Sequence, residues 1–309
     1  MSPVFDVSGS DEREPAIEAA HAAIGAGKLV VLPTDTVYGV GADPFNPDGV
    51  AALLAAKGRG RDKPPAVLVP NPATVEGLAM NVPSYARRLM ERFWPGGLTL
   101  IFRAQPSLMW DLGDTNGTVG LRMPDHEIAL ELLEATGPLA VSSANRTGEP
   151  PVTTITEAGF AFGPAVEVYL DGGTCDDGVP STILDCTKAD PVMLRRGAIT
   201  PEQLREVLGP IDLLDSTGAP LSETPQDDTV LANGGAPEVE SDAPHDADPA
   251  DDDDAREAER HRLEAMGAEA RAGEATRALP AADVGAEPPY ESESVTSVEL
   301  PGRPGERNH

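Results

Sequence analysis

The stretch from Lys57 to Lys63 places four cationic side chains in seven residues of a 309-residue chain whose formal net charge is -29. Clustered like charges repel one another unless an anion relieves the repulsion. A solvated loop is the ordinary explanation for a short basic run. This run follows a glycine-rich segment and a helical pattern and precedes an apolar run. We therefore interpret it as a loop that binds a polyphosphate.

A second polar string, at 33–41, has the sequence P-T-D-T-V-Y-G-V-G and follows an apolar run. Threonine hydroxyls, together with backbone that glycine leaves open to close approach, can hold a small polar molecule. An ordinary turn at the end of a strand uses the same residue types. The length of the string favours ligand binding.

Four further polar groups lie beside or at the ends of apolar runs. Arg122 either meets an acidic side chain or receives a ligand carboxylate, and the residues leave both readings open. Ser142–Asn145 can cap a helix or bind phosphate oxygens. Ser181 and Thr182 supply another pair of hydroxyl groups, and Arg195 and Arg196 supply two more cations.

Alternating helical and strand patterns must position these groups. Helices are predicted over 15–26, 48–57, 83–93, 128–135 and 201–208. Strands are predicted over 29–32, 66–69, 98–102, 119–123, 139–142, 166–170, 182–185 and 193–195. Asp125 is expected to cap the fourth helix and Gly137 to end it. The predicted fold class is α/β of the α+β kind, with one open mixed sheet and flanking helices.

Composition divides the chain near residue 210. Residues 1–210 carry 27 acidic and 16 basic side chains, whereas 211–309 carry 25 and 7, with no Lys, Cys, Trp or Phe. We therefore predict a folded domain over 1–210 and a largely disordered acidic extension over 211–309, with a single helix near 251–279. The extension is either an interaction arm or only a solvating segment, and the second reading is favoured.

Several features predict a cytoplasmic protein. Runs of about 18 apolar residues, which a membrane span needs, are absent from the sequence. The first residues are polar and acidic, unlike a signal peptide. The isolated pair Cys175 and Cys186 fits a reducing compartment and does not form a zinc site.

The motifs, taken in order, resemble the threonylcarbamoyl-AMP synthase family, also called the YrdC-type domain. The resemblance covers about residues 15–208. It rests on P-T-x-T-V-Y-G at 33–39, K-x-R at 57–59, W-P-G at 94–96, R-M-P at 122–124, S-x-N at 143–145, D-G-G at 171–173, S-T at 181–182 and L-R at 194–195. The long form of the family has a second folded domain that the acidic extension does not resemble, so a short form is expected.

The resemblance implies a twisted sheet around a deep basic cavity. It implies a nucleotidyltransferase that condenses L-threonine, bicarbonate and ATP into threonylcarbamoyl-AMP and pyrophosphate, with Mg²⁺ accompanying ATP. The product would serve tRNA threonylcarbamoyladenosine synthesis through a downstream transferase complex. A strong contact with tRNA is not predicted.

Family positions transfer residue by residue. Three match L-threonine-binding positions: Thr36, Arg122 and Ser181. Seven match ATP-binding positions: Lys57, Arg59, Lys63, Thr118, Ser143, Asn145 and Arg195. Of these, Lys57 and Arg59 are the predicted catalytic pair, and no residue is assigned to a metal. Leu68 and Pro151 depart from the pattern, because many relatives have His at the first position and some have Ser at the second.

The implied chemistry suits these residue types. A carbamate anion that attacks the α-phosphate of ATP needs fixed cations and needs no side-chain nucleophile. Within 1–210 the histidines are His21 and His126, and we interpret His126 as structural.

Three alternative functions fit the sequence less well. The first is an RNA-binding module of the same fold, which the net negative charge of residues 1–210 disfavours. A hydrogenase-maturation carbamoyl-transfer protein would add cysteine-rich zinc modules, and two isolated cysteines do not supply them. A phosphate-loop ATPase is excluded because Leu29 follows Gly27-Lys28 where Ser or Thr is required.

Overall fold

One mixed β-sheet organises the protein, which is seen here in a computed structural model that describes residues 2–9, 12–175 and 178–221. The strands are β1 (Val4–Asp6), β2 (Val30–Leu32), β3 (Gly39–Ala42), β4 (Ala66–Leu68), β5 (Ala79–Met80), β6 (Leu98–Ala104), β7 (Thr118–Arg122), β8 (Leu139–Ser143), β9 (Val168–Asp171), β10 (Thr182–Asp185) and β11 (Val192–Arg195). The helices are α1 (Arg13–Gly25), α2 (Pro47–Lys57), α3 (Val75–Leu78), α4 (Ser84–Phe93), α5 (Glu127–Thr136), α6 (Ile155–Phe162) and α7 (Pro201–Leu208). Short 3-10 turns lie at Pro72–Thr74 and Gly163–Ala165.

The strands lie side by side in the order β1-β9-β2-β3-β8-β4-β7-β6-β10-β11, and β5 pairs with β6. Near the centre, β8 is antiparallel to both β3 and β4. The two ends of this order do not join, so the sheet is open. The predicted fold class, one open mixed sheet with flanking helices, is confirmed.

Local signals explain the helix that leads into the basic stretch. At the start of α2, the Asn46 side chain accepts hydrogen bonds from the backbone of Asp48 at 3.0 Å and Gly49 at 3.1 Å, and Pro47 occupies the first position. At its end, Gly58 is left-handed at φ 59°, a conformation that glycine adopts without strain. Lys57 therefore lies in the last turn and the basic stretch begins at the helix end.

Two apolar clusters cover opposite faces of the sheet, because successive residues of one strand point to opposite sides. Val30 belongs to the cluster of α1 and α5, while its neighbour Val31 belongs to the cluster of α2, α4 and α7. In β7, Val119 and Leu121 pack into the cluster of α2, α4 and α7. The alternate residues of β7 therefore face the side of α1 and α5.

Some predicted boundaries differ from the structure. The helix predicted over 128–135 begins at Glu127, with His126 at the N-cap, so the prediction that Asp125 caps it is wrong. The Asp125 backbone N–H instead donates to Asp35 Oδ1 at 3.0 Å. The predicted end at Gly137 is confirmed, with φ 81°.

The last described segment, 211–221, packs against the domain. Leu214 forms bridges with Val192 and Pro220, and Leu213 is 4 % exposed. The Arg205 guanidinium donates to Leu221 O at 2.6 Å. The rest of the predicted extension, including the helix expected near 251–279, lies outside the described residues. Within the described ranges, no helix is long and apolar enough to cross a membrane.

Candidate functional site

A cavity of about 810 Å³ lies against the central strands. Thr118, Gly120 and Arg122 of β7 line it, together with Val119 of the same strand, which also packs into the cluster of α2, α4 and α7. All ten residues predicted to bind substrates line this one cavity: Thr36, Lys57, Arg59, Lys63, Thr118, Arg122, Ser143, Asn145, Ser181 and Arg195. They come from the segment after β2, the end of α2, the basic stretch, β7, the end of β8, the start of β10 and the end of β11.

Lys57 is held inside the protein and is only 3 % exposed. Its Nζ donates to the backbone oxygens of Ser143 at 2.5 Å and Asn145 at 2.6 Å. Burial, followed by the nearby charge of Arg59, lowers the pKa of Lys57 to about 8. The ammonium therefore fixes the turn at the end of β8, and its charge contributes to the cavity that it lines.

Arg59 lies two residues further along, past the left-handed Gly58. Its Nη1 donates to Ser142 Oγ at 2.9 Å, and burial lowers its pKa. The basic stretch is thus attached to the end of β8 through both Lys57 and Arg59. Their spacing in the K-x-R motif lets one cation hold backbone while the other reaches a side chain.

Arg195 approaches the cavity from the end of β11. Its Nε and Nη2 donate to Ser181 O at 3.0 and 2.7 Å, and Nη2 also donates to Ser181 Oγ at 3.0 Å. Its pKa is lowered to about 10 by burial, and further by the like charges of Arg122 and Arg59. Arg195 is thus repelled by two other guanidinium groups, those of Arg59 and Arg122. A bound anion would relieve this repulsion.

The question about Arg122 has a structural answer. Its Nη2 donates to Asp35 Oδ1 at 2.5 Å and its Nε donates to Gly96 O at 3.0 Å. Arg122 therefore has an acidic partner, Asp35. Burial lowers the pKa of Arg122 while Asp35 opposes that shift. Arg122 still lines the cavity, so its role toward a ligand carboxylate stays a prediction.

The segment between β2 and β3 is both a turn and a cavity wall. Thr34 Oγ1 donates to Val37 O at 2.6 Å and accepts from Thr36 N at 3.2 Å, which is the turn chemistry that the residue types allow. The hydroxyl oxygens of Thr34 and Thr36 lie 3.1 Å apart, and both residues line the cavity. Gly39 follows in β3, where a Cβ would meet Val141 Cγ1 at 2.7 Å.

The turn after β8 does not cap a helix, since α6 begins only at Ile155. Asn145 Nδ2 donates to Arg146 O at 3.0 Å and Glu149 O at 2.6 Å, which closes the turn on itself. The side-chain oxygens of Ser143 and Asn145 lie 3.4 Å from Lys57 Nζ. The sequence left open whether Ser142–Asn145 cap a helix or bind phosphate oxygens, and the structure excludes that they cap α6.

Some residues of the cavity wall were not predicted. Leu112 and Thr115 belong to the segment between β6 and β7, where the sequence has no regular pattern, and Thr118 Oγ1 donates to Thr115 O at 2.7 Å. Thr99 of β6 shares a hydrogen bond of 2.8 Å with Ser181. The polar Thr99 inside an apolar strand pattern was the available signal. Leu68, which departs from the family pattern expected from the resemblance, lines the cavity as well.

His126 does not line the cavity. Its Nδ1 is buried and has no hydrogen-bond partner within the described residues, and burial lowers its pKa. The structure therefore gives His126 no contact with the candidate site. Within the described ranges, no group of three or more His, Cys, Asp or Glu side chains could hold a metal ion.

An open mixed sheet with a cation-lined cavity over its central strands defines an α/β protein suited to an anionic ligand. Residues 22–197 match the Sua5/YciO/YrdC family model, which carries the description "Telomere recombination". The chain belongs to this family.

Named relatives extend the comparison. A Mycobacterium tuberculosis protein called "Putative threonylcarbamoyl-AMP synthase" is 52% identical over 209 residues, which are 68% of this chain and 96% of that protein. The threonylcarbamoyl-AMP synthase of Bacillus subtilis is 40% identical, over 68% of this chain and 62% of that protein. The crystal structure of P. abyssi Sua5 complexed with L-threonine is 37% identical with a TM-score of 0.64, and covers 69% of this chain and 62% of that one. The chain is accordingly an enzyme of the nucleotidyltransferase type.

Proposed function

We propose that the chain is an L-threonylcarbamoyladenylate synthase that converts L-threonine, bicarbonate and ATP into threonylcarbamoyl-AMP, pyrophosphate and water. The observation that carries the proposal is the meeting of Arg59, Arg122 and Arg195 in one cavity, where burial and mutual repulsion lower the pKa of Arg195 to about 10. Such a site favours a ligand with several negative charges. A nucleoside triphosphate and an amino-acid carbamate satisfy it together.

The cations of the cavity differ in their counterions. Arg122 forms an ion pair with Asp35, so this pair carries little net charge and suits the single carboxylate of an amino acid. Lys57, Arg59, Lys63 and Arg195 line the same cavity. We assign the triphosphate to these four cations.

The proposed mechanism needs position and charge. Arg59, Lys63 and Arg195 would neutralise the α-phosphate and the departing pyrophosphate, which lets the carbamate anion approach. Lys57 would act by holding the backbone of Ser143 and Asn145 in place, in addition to its charge. Mg²⁺ would arrive with ATP on phosphate oxygens, where it would reduce the charge of the triphosphate.

The decisive test is mass-spectrometric detection of threonylcarbamoyl-AMP from purified protein supplied with ATP, bicarbonate and L-threonine. Serine serves as the competing amino acid, and pyrophosphate release is measured in parallel. We expect a threonine-dependent product whose formation falls at least about 100-fold in Arg59→Ala, the range seen when one transition-state charge partner is removed. Pyrophosphate release that does not depend on threonine, or a fully active Arg59→Ala protein, would contradict the proposal.

A further inference from the structure

Arg61 is the cation of the basic stretch that faces away from the cavity. Its side chain is 55 % exposed and contacts the segment 105–117, which joins β6 to β7. Nη2 donates to Asp111 Oδ1 at 2.7 Å and Nη1 donates to Asp111 Oδ2 at 3.1 Å. This two-pronged contact fixes the orientation of both partners, because the planar guanidinium matches a carboxylate at two points.

The backbones of the two segments also meet at Arg61. The Asp114 N–H donates to Arg61 O at 2.8 Å. Gly113 has φ 102°, and a Cβ at this position would lie 2.6 Å from Arg61 O. Only glycine allows this approach without strain. The contact between the segments therefore involves side chain and main chain together.

Both joined segments supply the cavity wall. The basic stretch contributes Arg59 and Lys63, and the segment 105–117 contributes Leu112 and Thr115. On its other side the same segment is held by Trp110, whose ring stacks on Phe45 with centroids 5.6 Å apart. One wall of the cavity is thus two segments joined at Arg61.

We propose that Arg61 is a positioning residue that sets the place of Arg59 and Lys63 for the phosphates of the nucleotide. An exposed ion pair contributes little to stability, so the contact has to be explained by position. Small displacements of a fixed cation weaken its action on a phosphate steeply. The inference rests on the proposed function for the identity of the ligand, and the join between the two segments can be tested without it.

The first experiment needs no ligand. Acrylamide quenching of tryptophan fluorescence reports mainly on Trp110, since the chain has two tryptophans and Trp94 is 8 % exposed. Arg61→Gln and Asp111→Asn should each increase the quenching. Arg87→Gln is the matched control, because Arg87 forms an exposed ion pair of 2.6 Å with Glu76 and does not line the cavity. Unchanged quenching in both test variants would overturn the proposed join.

The second experiment measures nucleotide affinity. In Arg61→Gln we expect the Kd and KM for ATP to rise about three- to tenfold and kcat to fall as well, because Arg59 and Lys63 act on the departing phosphates, while KM for threonine stays unchanged. The double variant Arg61→Gln, Asp111→Asn should be no weaker than either single variant, since the two side chains act as one unit. Arg61→Lys should recover only part of the affinity, because lysine cannot form the two-pronged contact.

Three outcomes would overturn the inference: ATP affinity equal to that of Arg87→Gln, additive effects in the double variant, or a loss confined to kcat. Failure of the proposed function has a different signature. If the wild-type protein binds ATP but makes no threonylcarbamoyl-AMP, the proposed reaction is ruled out. The ATP affinities of the Arg61 and Asp111 variants would still decide whether Arg61 is a positioning residue.

Discussion

Lys57 shows how one side chain can both hold backbone and line a candidate binding cavity. Its ammonium is bound to two backbone oxygens of the turn after β8, and its neighbour Arg59 reaches the Ser142 hydroxyl. Both cations of the K-x-R motif were predicted to bind ATP and to form the catalytic pair. The structure gives them different contacts, because Lys57 lies in the last turn of α2 and Arg59 lies beyond it.

The pKa of Lys57 leads to a pH prediction. Because this pKa falls from 10.5 to about 8 in the folded protein, the unfolded chain holds more protons between those values. The free energy of unfolding of the wild type should therefore rise from pH 8 to 10.5 relative to Lys57→Met, as the buried charge is lost. Affinity for ATP should fall around pH 8 and level off above about pH 9, because the folded protein loses the Lys57 charge near its own pKa. Urea unfolding and ATP titration at pH 7, 8, 9 and 10 measure both, and parallel curves for the two proteins would contradict the prediction.

Asp35 is the counterion of the buried Arg122. In Asp35→Asn the buried guanidinium loses its charge partner, which should lower the free energy of unfolding by about 3 kcal/mol. Asp125→Asn is the control, because the exposed Asp125 contacts Asp35 only through its backbone N–H. Its effect should stay within about 0.5 kcal/mol. Equal losses in the two variants would show that the ion pair is not the cause.

At the scale of elements, the end of α2 directs the chain into the cavity wall. Gly58→Ala should cost about 1 kcal/mol, because φ 59° is unfavourable for any residue with a Cβ, although no atom lies within 4 Å of the added carbon. Gly49→Ala in the same helix should stabilise by up to about 1 kcal/mol, since its Cβ would make ordinary contacts at 3.5 to 3.7 Å. Urea unfolding of both variants tests this pair. Changes of the same sign would contradict it.

Elements with a regular apolar pattern could be predicted from sequence. Elements that depend on close packing or on pairing with distant strands could not. The helices at 48–57 and 201–208 were predicted within one residue at either end. Strand β3 was missed because Gly39 and Gly41 conceal its pattern, and these glycines are explained by close packing against Val141. Strand β1 was missed because three residues give no periodicity, and its pairing with β9 is distant in sequence.

The candidate site divides in the same way. Its ten predicted residues were carried over from the family resemblance, whose motifs include cations and hydroxyls near strand ends. The partners that fix them were not visible, since Asp35 reaches Arg122 across 87 residues and Arg61 reaches Asp111 across 50. Sequence shows which groups are present, and long-range packing decides which of them become neighbours.

At the scale of the whole molecule, the sheet needs residues beyond the compositional boundary at 210. Leu213 is buried, Leu214 bridges to Val192 at the start of β11, and Leu221 accepts a hydrogen bond from Arg205 of α7. The same strand β11 ends at Arg195 in the cavity. The short segment 211–221 thus supports the edge of the sheet that carries one of the three guanidinium groups.

Two truncations separate this segment from the rest of the chain. A protein ending at residue 221 keeps every described contact, so its unfolding midpoint and its ATP turnover should match those of the full chain. A protein ending at residue 210 exposes the surface that Leu213 covers and loses the bridge to β11, which should cost about 2 kcal/mol or more. Its KM for ATP should also rise, because Arg195 lies on the strand that loses support. Thermal unfolding and steady-state kinetics of the three proteins test this, and equal stability of the two truncated forms would show that 211–221 does not support β11.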